Sequence, residues 1–490
     1  MPDAKPYVIP KQLVWDAYLR VKENQGAAGV DGETLTMFEK DLRGNLYKIW
    51  NRMSSGSYFP PAVRLVEIPK DSGGTRPLGI PTVADRVAQT AVKMVLEPLV
   101  EPIFHEDSYG YRPGKSALDA IEVARKRCWR ANWVIDLDIK SFFDCLDHDL
   151  VERAVAKHTD LPWVRLYIAR WLRAPLQRPD GTDEQRTKGT PQGGVISPLL
   201  ANLFLHYAFD GWMRRTFPAV QFERYADDAI VHCSSEFHAK QVLEAIRDRF
   251  KECGLELHPM KTRIVYCKDD DRRGDGEHVS FDFLGYTFQP RRAKNRYGKF
   301  FVSFLPAISA KASKSIRQTI REWRMASTRN NQQLEDLARA FNPTMWGWVN
   351  YYGRFYRSKF LQVLRHFNGA LAAWVRRKYK NRFRRRERAS VHWLGRIARR
   401  EPKLFVPWQL GLKPEAGKKE PDEARVSRPV LGEPGGEVPP GYSTRGVVRP
   451  QAGCRAVPGG PAEAVRQVRP DLASRQDPDG GVPEARSRRR

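Results

Sequence analysis

Cysteine is scarce: six residues in 490, with no C-x-x-C pair among them. That leaves neither a zinc ribbon nor a disulfide framework to organise the fold. Long apolar runs are missing too. None reaches the roughly 18 residues of a membrane span, and Met1 to Lys11 has no apolar signal core. A reduced, soluble, cytoplasmic chain with no membrane partner is expected. Acid is also short, with 57 Asp and Glu against 84 Lys and Arg and a formal charge of +27. A field of that sign asks for a polyanion, an anionic membrane surface being the competing explanation. The shortage is local, since residues 291–400 hold 28 basic side chains and 4 acidic ones. The last 80 residues lack histidine and have one aromatic, Tyr442, and one cysteine, Cys454, but 24 Pro or Gly. Such a segment cannot bury enough apolar surface to fold, and disorder is expected for 411–490.

What is present reads as an α+β chain. Residues 1–60 have helical periodicity around a Gly29-Val-Asp-Gly32 turn, and 61–290 alternate helices with antiparallel hairpins. Ala62 to Lys70 and Thr75 to Ile80 flank Asp71-Ser-Gly-Gly74, a hairpin signal with Lys70 and Arg76 near its tip. Those cations suit either a solvated turn or a phosphate clamp. Val83 to Phe104 reads as a long helix, and another starts at Ser116. Trp133-Val-Ile-Asp136-Leu-Asp138-Ile139 alternates as a strand, with Val134, Asp136 and Asp138 on one face. Asp136 and Asp144 suit salt bridges or caps better than ligand duty. In Thr190-Pro-Gln192-Gly-Gly-Val-Ile-Ser197-Pro198 the glycines permit close approach of a ligand, Ser197 suits an N-cap and Pro198 the first helical position. Asp282 to Phe288 reads as one short apolar strand. The block 291–400 reads as helical throughout, with Trp348, Tyr351, Tyr352, Phe355 and Tyr356 on one helix face that mainly packs core.

The chain is organised around Phe222-Glu-Arg-Tyr225-Ala-Asp227-Asp228-Ala-Ile-Val231, two short apolar strands with paired acids at their turn. An acidic turn alone is usually a surface turn. Acids beside strands that look buried, however, call for a cation or a metal. Neighbouring strand residues face opposite ways, so Asp227 is the acid expected to face the site. With Asp138 it would hold Mg²⁺, which binds through one or two carboxylates plus substrate phosphates. Two such ions clamp both oxygens of an in-line displacement. With cations for a triphosphate at Lys70 and Arg76, and basic, aromatic residues downstream for RNA, the sum is nucleotidyl transfer onto a nucleic-acid end.

Motif order sharpens this. Asp138-Ile-Lys-Ser-Phe-Phe143-Asp144, Thr190-Pro-Gln-Gly-Gly and Tyr225-Ala-Asp-Asp228 resemble a reverse transcriptase palm. Arg76-Pro-Leu-Gly-Ile-Pro81, Gly110-Tyr-Arg-Pro-Gly114, Pro259-Met-Lys-Thr262 and Phe283-Leu-Gly-Tyr286 follow the same order, and Trp346-Gly-Trp348 with Tyr351-Tyr352 resembles a maturase domain. Over residues 25–410 the chain resembles bacterial group II intron-encoded reverse transcriptase/maturases. That resemblance implies right-hand fingers and an antiparallel palm over 61–290, then an all-helical basic thumb/maturase (X) domain over 291–410.

It also implies roles. Asp138, Asp227, Asp228 and the Ile139 carbonyl would bind two Mg²⁺, and Lys261 would protonate pyrophosphate. Lys70, Arg76, Phe143 and Gln192 would bind the dNTP, with Phe143 as the gate against a ribose 2′-hydroxyl. Phe283, Leu284, Gly285 and Tyr286 would grip the primer. Arg354, Arg376, Arg377, Lys378, Lys380, Arg384, Arg385 and Arg386 would bind RNA. The implied partners are the group II intron RNA, an RNA template with a DNA primer, dNTPs and a DNA target site; a homodimer is left open. His258 stands where the family often has Asn. A tail without histidine implies no HNH endonuclease, so mobility would need another primer source, such as a nascent strand at a replication fork. A splicing-only maturase, or a reverse transcriptase of a defence or diversity-generating system, are the alternatives.

Overall fold

A computed structural model describes residues 5–69, 74–272 and 274–415. Lys70 and the expected disorder beyond residue 415 lie outside the described residues. Helices Lys11–Asn24 and Leu42–Ser54 pack against the long helix Val83–Val100. Strands β1 (Val63–Pro69) and β2 (Thr75–Ile80) form the expected hairpin, with Arg64 opposite Ile80. Then come β3 (Trp133–Leu137), the short pair β4 (Leu176–Gln177) and β5 (Asp183–Glu184), and β6 (Gln221–Tyr225) with β7 (Asp228–Cys233). Strands β8 (Arg263–Tyr266), β9 (Phe281–Phe283), β10 (Tyr286–Lys294) and β11 (Phe300–Ile308) complete the set among the described residues.

The central sheet runs β6-β7-β3-β8, antiparallel throughout, with Ile135 opposite Val231 and Ile264. It separates two cores. Ile135, Leu137, Ala229 and Val231 face one, built on the helices Val83–Val100, Ser197–Leu205 and Glu236–Glu252. Val134, Ile230 and Val265 face the other, shared with Phe281, Phe283, Tyr286 and the C-terminal helices. The face carrying Asp136 is therefore covered over much of its length rather than open.

Below the sheet lies a buried carboxylate with neutral partners. Asp85, 1% exposed, accepts from Tyr58 Oη at 2.9 Å, Trp171 Nε1 at 2.7 Å and Gln89 Nε2 at 2.9 Å. Burial raises its pKa despite these three donors. The same Gln89 turns its Oε1 to the amides of Val195 at 2.8 Å and Ile196 at 3.2 Å. It thereby ties the loop that leads into the helix Ser197–Leu205 to the helix Val83–Val100.

Four local expectations are corrected. Ser197 does not cap that helix; it is the first helical residue, with Pro198 second, the N-cap Ile196 brings no side-chain bond, and the Ser197 hydroxyl pairs instead with Thr190 Oγ1 at 2.8 Å. Residues 282–288 are not one strand. Leu284 and Gly285 both take positive φ (50° and 79°), which folds the segment into the β9–β10 hairpin. The basic block is not helical from 291, since β10 and β11 carry the chain to Ile308 and helices resume at Ala310. Buried Phe281 and Phe283, then Tyr286 and Phe288, set a period of two that β10 continues, and Phe304 of β11 packs into the same core. Finally, the helix Leu334–Tyr352 stops at Gly353, so Phe355 and Tyr356 leave its face. Phe355 still reaches Tyr286 edge-on, 5.5 Å between centroids, beside Tyr351 and Tyr352, so the aromatics do pack core.

Asp85→Asn replaces one acceptor with an amide that faces a donor. We expect a loss of about 1–3 kcal/mol in urea unfolding, the cost of a buried unsatisfied polar group.

Candidate active site

The β6–β7 turn consists of Ala226 and Asp227, closed by the pair Tyr225 and Asp228. Ala226 sits at φ +58°, a left-handed conformation costing an L-residue roughly 1–2 kcal/mol. Two devices hold it. Arg224, 1% exposed, gives Nη1 to the Ala226 carbonyl at 3.0 Å and to Asn202 Oδ1 at 3.0 Å. Its Nε and Nη2 clamp Asp210 at 2.7 and 2.6 Å, and Nη2 also reaches Ser108 Oγ at 2.8 Å. The second device is backbone approach. Residues 107–110 run beside β6, with Arg224 N–H on the Asp107 carbonyl at 2.9 Å and Tyr109 N–H on the Arg224 carbonyl at 2.8 Å. A Cβ at Gly110 would stand 2.4 Å from the Ala226 nitrogen, so only glycine fits.

Asp138 follows β3 and is fixed by the Lys261 segment. His258 N–H donates to its carbonyl at 2.8 Å, and the Thr262 hydroxyl meets its amide at 3.3 Å. Lys261 Nζ lies 3.0 Å from Asp138 Oδ2. Histidine at 258 thus supplies the backbone contact without involving its ring. Asp138, Ile139, Asp227, Asp228 and Lys261 line one cleft of about 520 Å³, together with Asp136, Arg263 and Asp282.

The cleft is electrostatically frustrated. Burial raises the pKa of Asp227; Arg76 opposes the rise and Asp138 adds to it. Asp228 is pushed well up by burial, then by Asp136, Asp227 and Asp138, against one Leu284 N–H bond. Asp136 is raised to about 7 by burial, then by Asp138 and Asp282. Cations placed among these carboxylates would relieve that repulsion. Among the described residues no three His, Cys, Asp or Glu side chains enclose a metal by themselves. This donor set fits an ion completed by substrate phosphates and water. Asp136, assigned from sequence to salt bridges or caps, is part of the cleft wall.

The remaining sequence-derived residues divide. Arg76 Nε donates to Gln192 Oε1 at 2.6 Å, and Gly79 N–H to the Gln192 carbonyl at 2.6 Å. Gly193 passes so close that its Cβ would lie 2.5 Å from the Gly79 carbonyl oxygen. The β1–β2 hairpin and the Gln192 loop are thereby one unit. Phe143 is buried, and its carbonyl takes the Thr190 N–H at 2.8 Å. Phe283 and Tyr286 are wholly buried; Leu284 and Gly285 alone of that motif are half-exposed, and the Leu284 carbonyl accepts from Tyr351 Oη at 2.7 Å. Of the eight RNA candidates, Arg354, Arg377, Lys380, Arg384, Arg385 and Arg386 are exposed. Arg376 pairs with Glu387 at 3.5 Å, and Lys378 donates to the Gln332 carbonyl.

Arg224, Asp210, Asn202 and Gln89 escaped the sequence reading. Arg224 was the one with a visible signal: a charge in an otherwise buried strand needs a partner, although pairing it with Asp210 requires the fold.

A family model for "Reverse transcriptase (RNA-dependent DNA polymerase)" matches residues 68–288. A second, "Group II intron, maturase-specific domain", matches 313–393. Protein YkfC of Escherichia coli K12 is 32% identical over 326 residues, covering 58% of this chain and 81% of that protein. The chain belongs to the group II intron-encoded reverse transcriptase/maturase family. The family member LtrA of Lactococcus lactis is 29% identical over 333 residues, 67% of this chain and 52% of LtrA, so the match spans about half of that relative. A telomerase structure from Candida albicans aligns at TM-score 0.40 and 11% identity over 77% of this chain and 68% of its own. The reverse transcriptase match contains the whole cleft. Residues 289–312, most of the β10–β11 hairpin, fall between the two matched regions.

In this reverse transcriptase/maturase, Arg224→Met would strand buried Asp210 and cost about 3–5 kcal/mol. Arg224→Met/Asp210→Leu is expected to recover most of that stability in urea melts. Hydrogen exchange in the β6–β7 turn stays faster than in the unaltered chain, because Ala226 has lost its clamp.

Proposed function

We propose that the chain is an RNA-directed DNA polymerase that also binds its group II intron RNA and assists splicing and mobility. The observation that carries this is the meeting of Asp138 with Asp227 and Asp228 in one cleft, Lys261 beside them. Asp138, Asp227, Asp228 and the Ile139 carbonyl would hold two Mg²⁺. When bound, these ions supply charge for the attacking 3′ oxygen and the departing pyrophosphate. Everything else is positioning. Arg76, coupled to Gln192, stands where its charge reaches Asp227 and offers a fork to the triphosphate of a dNTP. The Phe143 ring gates the ribose. Lys261 balances Asp138 and carries a proton to deliver to the leaving group. The Leu284–Gly285 turn, tied to Asp228 through its amide, steadies the primer end. Arg354, Arg377, Lys380, Arg384, Arg385 and Arg386 offer an exposed cationic surface to structured RNA. Such a protein works with an RNA template, a DNA primer and a DNA target site.

Primer extension on an RNA template with dNTPs and Mg²⁺ tests the reading. Wild type should extend, EDTA should abolish extension, and Asp227→Ala should lower it by at least about a hundredfold. No extension by wild type, with intron RNA still bound tightly, would instead leave a splicing-only maturase.

Phe143→Ala should admit ribonucleotides. Its ratio of kcat/KM for dCTP over rCTP is expected to fall at least about tenfold, and an unchanged ratio would remove Phe143 from the gate.

A further inference from the structure

The β10–β11 hairpin starts at the cleft and leaves it. Asp282, opposite Thr287 at its base, lines the cleft, and nine residues of β10 extend roughly 30 Å at about 3.3 Å each. The inner half is core: Phe288, Phe304 and Ala307 are fully buried. Of the outer half, residues 291–303, only Ala293 is buried. Tyr297 is 78% exposed and Phe300 40%.

Three features separate this tip from a plain solvated turn. It is ordered by its own sequence: Asn295 Oδ1 accepts from the amides of Tyr297 at 3.0 Å and Lys299 at 2.9 Å, and Gly298 takes φ +85°. It is cationic without offset in its own sequence, since residues 286–312 contain no Asp or Glu. Arg291 is spent on the Leu305 and Thr287 carbonyls, but Arg292, Arg296 and Lys299 are exposed. Acids meet the hairpin below the tip, where Asp282 takes the Thr287 hydroxyl and Asp270 takes the Val302 N–H at 2.7 Å. Third, the cations sit on the rings: Arg292 Cζ is 4.1 Å from the Phe300 centroid and Arg296 Cζ 4.7 Å from that of Tyr297. A solvated turn needs no aromatic ring held out beside cations. A stacking platform for a base needs one, with cations beside it for the phosphates.

We propose that the β10–β11 tip binds an unpaired stretch of nucleic acid, one base stacking on Tyr297 and the flanking phosphates meeting Arg292, Arg296 and Lys299. This rests on the reading of the chain as a nucleic-acid enzyme but not on catalysis. It adds a contact outside both matched family regions, at the far end of a sheet rooted in the cleft.

The test uses the whole chain, no dNTP, and two fluorescein-labelled 15-mers, oligo(U) and oligo(dT), read by anisotropy across a salt series. Tyr297→Ala should weaken binding about tenfold, while Tyr297→Phe, which keeps the ring, stays within about twofold. Arg292→Ala/Arg296→Ala/Lys299→Ala should lower the slope of log affinity against log salt by about 2, near 0.7 per lost phosphate contact. A larger effect with oligo(U) assigns the tip to an RNA strand, and one with oligo(dT) to DNA. Other basic surfaces also bind, so a 5-iodouracil-substituted 15-mer is photo-crosslinked in parallel and the attached peptide mapped. Attachment within 295–300 is expected. Wild-type affinity in Tyr297→Ala, with no attachment in the hairpin, overturns the proposal. Primer extension by the same preparation separates the two readings: normal extension with a silent hairpin sinks only this one, and a responsive hairpin without extension sinks only the polymerase.

Discussion

The Arg224 guanidinium, held out of water one residue before the turn sequence begins, has to be surrounded by acceptors, and that requirement ties distant parts of the chain to the acidic turn. Its acceptors come from Asp210, Asn202, Ser108 and the Ala226 carbonyl, four stations spanning 119 positions of chain. A buried ion pair of this kind adds little net stability over apolar packing, but breaking it is costly. What it provides is a fixed geometry. Ala226 remains left-handed because its carbonyl has one available donor in one place and because Gly110 closes the other side. The neighbouring Glu223, wholly buried, repeats the logic with Arg127 at 2.6 Å and His232 at 2.6 Å. Two consecutive charged residues thus anchor β6 through its side chains, and the acids that follow inherit the precision.

Position in the sheet explains why the acids are available at all. With a core on each face, the sheet offers a polar group only at the strand end where the second core stops. Asp138 stands just past β3, and Asp227 and Asp228 stand at the start of β7, so antiparallel pairing of β3 with β7 brings them together without any loop having to fold over. Asp136 is one pleat further in. It keeps a carboxyl where Val134 and Ile230 are already dry, which is why its pKa climbs to about 7.

Much of this was legible. The alternation at 133–139, the acids between apolar strands at 222–231 and the capped helix starting at Ser116 are local patterns, and each folds as its pattern dictates. The errors arose where a tertiary partner outvoted a local signal. Ser197 looks like a cap, but the helix begins on it and its hydroxyl is engaged by Thr190. Residues 291–308 look helical because they lead into a helical, basic block, yet buried Phe281 and Phe283, then Tyr286 and Phe288, recur with period two just before them. Leu284 in a left-handed conformation conceals a turn where glycine alone would have advertised half of one. The basic cluster was visible only as a number of charges. Which of its members are free depends on contacts such as Lys378 with Gln332, which no composition reveals.

The two excesses of charge are complementary. Carboxylates crowd the cleft until the fold itself resists their ionisation, and Lys261, Arg263 and Arg76 are fewer than the five aspartates they face. The basic surplus of the whole chain lies elsewhere, across 291–400. A protein that needed only stability would have paired these populations. Keeping them apart leaves an acidic cleft whose repulsion only added positive charge relieves, and a basic surface whose excess only added negative charge relieves.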